Sequence, residues 1–129
     1  MKVLLDTAVF WWIASGSPRL SRNVAKIFED PETDVALSPI SIWELIVKNQ
    51  IGKLPLPRPI TELLSQVREE RLVRTLPLRE TAVLRLASLP ALHRDPFDRM
   101  LICQALDEGM TLVTPDAHVR AYPVPTLWE

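Results

Sequence analysis

Four acids stand out by where they fall in the chain: Asp6, Glu44, Asp98 and Asp116. Asp6 closes the apolar run KVLLD, and Asp116 follows the run TLVT by two residues. Glu44 shares a helical face with Ile40, Val47 and Ile51, where an uncompensated carboxylate is costly. Asp98 lies in line with Leu101, Ile102 and Ala105, again at the end of an apolar stripe. Like charges crowded into low dielectric need shifted pKa values or a compensating cation. A hard divalent cation, Mg²⁺ or Mn²⁺, suits carboxylate and water oxygens and keeps positions open for a phosphate. Such ions could activate water and stabilise the leaving oxygen of a phosphodiester. Zinc has weaker support, since imidazole could come only from His93 and His118.

Whether these acids meet depends on the elements that carry them. Short apolar runs at 2–6, 34–38, 72–76 and 111–114 read as strands, and 125–128 as an edge strand. Helical spacing marks 8–15, 21–30, 40–50, 60–70, 80–89 and 96–108. Ser21 and Asp95 are set as N-caps, and Pro96 suits a first helical position. Gly16, Gly52 and Gly109 each close a helical segment, and KLPLPRP at 53–59 reads as a stiff extended connector. Strands alternating with helices predict an α/β fold, a mostly parallel sheet covered on both faces. Ligands of such a sheet bind outside the carboxyl ends of its strands, which is where all four acids are expected.

The composition agrees. A chain of 129 residues, 47 % hydrophobic and 24 % charged, fits one globular domain over 1–129 and excludes a disordered chain, a collagen repeat or a coiled coil. Fifteen basic residues against sixteen acidic ones leave a charge of −1, so any nucleic-acid contact must come from a local patch. The single cysteine, Cys103, excludes a disulfide framework and fits a reducing cytoplasm. No apolar run nears the roughly twenty residues of a membrane span, and Asp6 interrupts the first run too early for a secretory signal. A cytoplasmic protein with no membrane partner is expected.

Each acid also has a plainer reading. Asp6 and Asp116 could begin turns. Glu44 and Lys48 are spaced for a surface ion pair, although the neighbouring Trp43, Leu45 and Ile46 make that helix apolar all round and argue for burial. Asp98 could simply favour the helix dipole, and Asp95 suits N-capping better than ligation. His93 and Arg94 could touch a phosphate but read as a solvated loop, and His118 as a surface residue of a short helix. Phe10, Trp11 and Trp12 read as core or a dimer face rather than a stacking platform. The hydroxyls of Thr7, Thr114, Ser38 and Ser41 could orient a carboxylate.

The segments KVLLDTAVFWW, SPISIWELIVKNQIGKLPL, HRDPFDRMLICQA, TLVTPD and YPVPTLW, in this order, resemble the PIN-domain family and within it the VapC-type toxins of bacterial type II toxin–antitoxin pairs. The resemblance covers essentially the whole chain. Its acidic set falls on Asp6, Glu44, Asp98 and Asp116, Asp95 matches an acid common in this subgroup, and Thr114 matches the hydroxyl before the last acid. It implies a three-layer α/β/α sandwich and an Mg²⁺- or Mn²⁺-dependent endoribonuclease. It further implies a homodimer, neutralised by a VapB-like antitoxin that places a basic side chain in the acidic pocket. Two positions depart from it: Ala8 stands where many relatives have histidine, and Pro115 where they often have arginine.

On this reading RNA is hydrolysed with Asp6, Asp98 and Asp116 holding the metal. Glu44 holds it too or orients the attacking water. Lys48, Arg94 and Arg99 are candidates for steering the RNA backbone, although Arg99 could equally be an exposed helix charge. Two other classes compete: a catalytically idle PIN-fold binding protein, and a phospho-acceptor signalling module. The second usually needs paired acids after its first strand, where this chain has Thr7 and Ala8 after Asp6.

Overall fold

The computed structural model describes residues 1–128. Five strands, β1 (Lys2–Leu5), β2 (Asp34–Leu37), β3 (Val73–Thr75), β4 (Thr111–Val113) and β5 (Thr126–Leu127), form one sheet in the order β3-β2-β1-β4-β5. All four pairings are parallel, with Leu4 opposite Ala36 on one side and Leu112 on the other. Seven helices accompany it among the described residues: α1 (Thr7–Ser15), α2 (Arg22–Glu29), α3 (Pro39–Gln50), α4 (Ile60–Glu70), α5 (Glu80–Arg85), α6 (Pro96–Glu108) and α7 (Ala117–Arg120). None of them is long and apolar enough to cross a membrane.

Side-chain alternation along the strands divides the core in two. Leu4, Ala36 and Leu112 point to one face, where Leu101, Ile102 and Ala105 of α6 and Val119 of α7 cover them. Val3, Leu5, Val35, Leu37 and Val113 point to the other, against Val9 and Phe10 of α1, Val24 of α2 and Val67 of α4. Both faces are therefore buried, as continuous apolar strands require, and the result is an α/β/α sandwich. Helix α3 serves both cores, with Ile40 in the first and Leu45 in the second.

Local chemistry sets the element ends. Asp6, Ser21, Ser38, Asp95 and Asp116 all cap helices through side-chain oxygens. Gly109, at φ 63°, takes the left-handed conformation that stops α6 and lets the chain turn into β4. The helix expected over 80–89 is shorter. α5 ends at Arg85 and a 3₁₀ turn spans Leu86–Ser88, because Pro90 forces Leu89 into extended backbone (ψ 129°). The expectation that α3 is buried all round is also corrected. Trp43 is 57 % exposed and Ile51, just past the helix end, 59 %, since α3 packs on the sheet, α1 and α6 but leaves one side open.

The order of strands reverses between β1 and β4. Chain segments leaving β1 and β4 diverge there to opposite faces, opening a crevice at their carboxyl ends. The order also separates this fold from the phospho-acceptor class, whose sheet runs 2-1-3-4-5.

Candidate active site

The crevice is a pocket of about 460 Å³. Asp6, Glu44, Asp95, Asp98 and Asp116 all line it, with Lys48, His93, Thr7, Ala8, Trp11, Trp12 and Pro115. The four acids chosen from the sequence thus come from four separate segments: the β1–α1 junction, the second turn of α3, the first turn of α6 and the N-cap of α7.

Asp6 is held on both oxygens. Oδ1 accepts the Ala8 N–H at 3.0 Å, and Oδ2 accepts the Thr114 hydroxyl at 2.5 Å. Thr114 in turn accepts the Asp116 N–H at 3.1 Å, so one hydroxyl ties the residues after β1 and β4 together. Burial raises the pKa of Asp6, its hydrogen bonds from Thr114 and Ala8 oppose this, and the charges of Glu44 and Asp116 add to the rise.

Glu44 is 3 % exposed. Its Oε2 accepts Lys48 Nζ at 2.5 Å, while Oε1 is buried with no hydrogen-bond partner among the described residues. The expected ion pair therefore exists, but it joins a buried acid to a part-exposed lysine and satisfies only one oxygen. Burial acts to lower Lys48, yet the hydrogen bond and charge of Glu44, with Asp95 and Asp98 behind, hold it above its usual value.

Asp98 is pushed up to about 7, chiefly by burial; a hydrogen bond from His93 resists, and the charges of Asp6, Asp95 and Glu44 reinforce the rise. His93 Nε2 lies 2.8 Å from Asp98 Oδ2. His93 is therefore not a solvated loop residue, since only 18 % of its side chain is exposed. His118 is a surface residue of α7 as expected, but its ring stacks on His93 at 5.2 Å and its Nδ1 lies 3.3 Å from Asp116 Oδ1. Ligand atoms of His93, Asp98 and Asp116 all lie within 4.8 Å of one another. Asp6 and Glu44 sit on the same pocket outside that tightest group.

A family profile described as PIN domain matches residues 3–124. The chain belongs to the PIN-domain family. Ribonuclease VapC22 from Mycobacterium tuberculosis is 30 % identical over 130 residues, covering 98 % of both chains. VapBC2 from Rickettsia felis, solved bound to a DNA fragment from its promoter, superposes with a TM-score of 0.75 at 16 % identity over 98 % of each chain. FitAcB from Neisseria gonorrhoeae superposes at 0.64 with 17 % identity over 98 % of this chain and 96 % of that one. At such identities the solved structures share the fold.

The remaining sequence candidates fall unevenly in this PIN domain. Asp95 spends Oδ1 on the N–H groups of Phe97 and Asp98, at 2.8 and 3.1 Å, as an N-cap, while also lining the pocket. Thr7 donates to Ser41 Oγ at 2.9 Å, staples α1 to α3, and reaches the pocket wall. Ser38 caps α3 and donates to Gln104 Oε1, a buried amide that the sequence reading passed over. Arg94 is exposed. Arg99 is not a pocket wall, nor an exposed charge: it donates to the Leu89 carbonyl at 3.2 Å and its Nε is buried. Phe10 is core, whereas Trp11 and Trp12 form part of the pocket wall. At the two departures, Ala8 supplies a backbone N–H to Asp6 and Pro115 leaves Asp116 on the pocket.

Proposed function

We propose that this chain is a metal-dependent endoribonuclease, the toxin of a toxin–antitoxin pair, that hydrolyses RNA phosphodiester bonds. The observation that carries this reading is the convergence of Asp6, Glu44, Asp98 and Asp116 on one pocket, with Glu44 Oε1 buried and unpartnered among the described residues. A buried carboxylate oxygen without a donor is costly, and a cation relieves that cost. The donor set fits Mg²⁺ or Mn²⁺. When bound, such an ion supplies Lewis acidity and lowers the pKa of its water.

The chain's own residues supply the rest. Asp6, Asp98 and Asp116 would hold the ion, and Glu44 would hold it or orient the attacking water. Thr114 fixes the rotamer of Asp6, so the carboxylate needs no rearrangement to act. Lys48 balances one oxygen of Glu44 and presents its half-exposed ammonium to a phosphate at the rim. Trp11, Trp12 and Leu54 give the pocket an apolar wall that limits water.

The likeness to Ribonuclease VapC22 supports RNA as substrate, and the likeness to VapBC2 supports a VapB-like antitoxin as partner. A basic antitoxin side chain in the acidic pocket would take the place of the cation's charge. A homodimer in the cytoplasm completes the proposal.

The test is cleavage of a defined RNA with mapped ends by purified protein carrying Asp6→Asn. Asparagine keeps the N-cap, so the fold is retained. Cleavage and growth arrest on expression should both be lost. Undiminished cleavage by the pure variant would remove the assignment. Calorimetry with Mn²⁺ separates a nuclease from an idle binding domain, which should show no binding that depends on Glu44 or Asp98.

A further inference from the structure

Building on the metal-dependent reading above, we infer that His93 is a nitrogen ligand of the pocket, making it a mixed nitrogen–oxygen centre that takes Mn²⁺ in preference to Mg²⁺. Three features of the structure place the ring for this. Ligand atoms of His93, Asp98 and Asp116 lie within 4.8 Å of one another, the span over which one ion could touch all three. The His93 backbone is pinned: the hydroxyl of the buried Tyr122 accepts the N–H groups of Leu92 and His93 at 3.0 and 2.9 Å. The ring itself is laid against His118, with planes 14° apart. A loop fixed at its backbone and braced on its ring face holds a ligand at low entropic cost.

The second, separate pointer to a ligand is Glu44. Its unpartnered Oε1 is buried at the same pocket and is drawn from α3 rather than from the loop that carries His93.

The donor chemistry then selects the ion. Mg²⁺ demands a near-ideal octahedron of oxygens and usually keeps several waters. Both ions take carboxylates, and of the two it is Mn²⁺, a first-row transition ion, that accepts an imidazole nitrogen more readily. A ring nitrogen beside two aspartates therefore biases the centre towards Mn²⁺. Cys103 offers no competing soft ligand, being buried on α6 away from the pocket-lining residues.

The experiment is pulsed electron paramagnetic resonance of Mn²⁺ bound to the purified full-length chain, read alongside calorimetry with Mn²⁺ and with Mg²⁺. The wild type should show the coupling of a directly bound imidazole nitrogen, altered by ¹⁵N-histidine labelling. His93→Ala and His93→Gln should lose it, and the ratio of Mn²⁺ to Mg²⁺ affinity should fall by about tenfold or more, the scale of losing a ligating or supporting group. His118→Ala should keep it. A wild-type spectrum without nitrogen coupling, while Mn²⁺ binding still depends on Glu44 and Asp98, overturns this inference and leaves the nuclease reading standing. Coupling that survives His93→Ala and disappears with His118→Ala overturns it as well. Absence of any Mn²⁺ binding sensitive to Glu44→Gln or Asp98→Asn removes both.

Discussion

The two ends of α6 carry the same kind of side chain in opposite circumstances. At the N-terminal end Asp98 is mostly buried, faces other carboxylates, and is pushed up to about 7. At the C-terminal end Asp107 accepts Thr81 Oγ1 at 2.7 Å and Arg85 Nε at 3.2 Å, and Glu108 pairs with Arg79 at 3.7 Å. The Thr81 hydrogen bond first, and then Arg85, hold Asp107 below the ordinary carboxylate value. An acid needed only for packing α5 on α6 is given an arginine in its own layer. The acids at the sheet's carboxyl edge have one lysine, on Glu44, and two histidines, on Asp98 and Asp116. That shortage of positive charge makes the edge a place for a cation, and it leaves the metal-free protein paying an electrostatic cost there.

The largest expected effect tests that cost directly. Asp98→Asn should reduce RNA cleavage by on the order of a thousandfold, since a lost ligand forfeits several kcal/mol of charge stabilisation. In EDTA near pH 8 the same variant should melt at a higher temperature than wild type, because one buried like charge has gone. Cleavage rates and thermal melts measured together check it. A variant that is inactive but also less stable without metal would show that Asp98 is structural, like Asp107.

The pH dependence of stability separates the two ends in a single titration. Asp98 and Asp6 have folded-state values above their usual 3.8, so the native state binds more protons than the unfolded chain. Stability of the metal-free protein should therefore fall as pH rises from about 4 to about 7. Asp107 and Asp34 are lowered, so their contribution is present above 3.8 and is lost as pH drops below it. Denaturant unfolding in EDTA should show a maximum on the acid side of neutrality, and Mn²⁺ should remove the decline towards pH 7. A flat profile from pH 4 to 7 would mean that the edge is not strained.

Between the two ends of α6 lies Gln104, whose amide is buried with a different task. It accepts the Ser38 hydroxyl and donates to the carbonyls of Leu76 and Pro77, at 3.4 and 3.5 Å, tying α6 to the ends of β2 and β3. Gln104→Leu keeps the volume but leaves those groups unpaired in the core, a loss of about 1–3 kcal/mol. Urea unfolding should show it, with cleavage changed less than by Asp98→Asn.

Much of this arrangement was legible because it is local. Asp6 and Asp116 could be placed from apolar strands ending beside them, and Glu44 from a stripe of Ile40, Val47 and Ile51, all within a few residues. A parallel sheet covered on both faces followed from the alternation of strands with helices. The strand order did not, since it depends on which crossovers the chain takes. His93 reads as a solvated loop residue in the sequence because its loop is fixed by Tyr122, 29 residues away, and Gln104 was missed because its partner Ser38 lies 66 residues away. Arg99 pointed to RNA through its place beside Asp98, yet successive helical residues diverge, and its guanidinium reaches back to Leu89. Trp43 misled in the other direction. An apolar helix predicts burial, but α3 is covered where the sheet, α1 and α6 meet it, and Trp43 touches Phe97 of α6 while staying mostly open to solvent.

The smallest expected effect completes the comparison. Asp107→Asn removes an acid from the same helix, leaves the Thr81 hydroxyl an amide oxygen to bond, and costs Arg85 its partner. Arg85 is about half exposed, with 47 % of its side chain open to solvent, so water replaces the lost carboxylate. Exposed ion pairs of this kind are weak and are screened by salt. Unfolding free energy should therefore drop far less than for Gln104→Leu, with the difference vanishing at high salt. Cleavage and Mn²⁺ affinity should be unchanged, because Asp107 sits at the far end of a helix of 13 residues, roughly 1.5 Å apart along its axis. If Asp107→Asn weakened Mn²⁺ binding as Asp98→Asn should, long-range charge rather than placement at the carboxyl edge would govern the pocket, and the contrast between the two ends of α6 would lose its meaning.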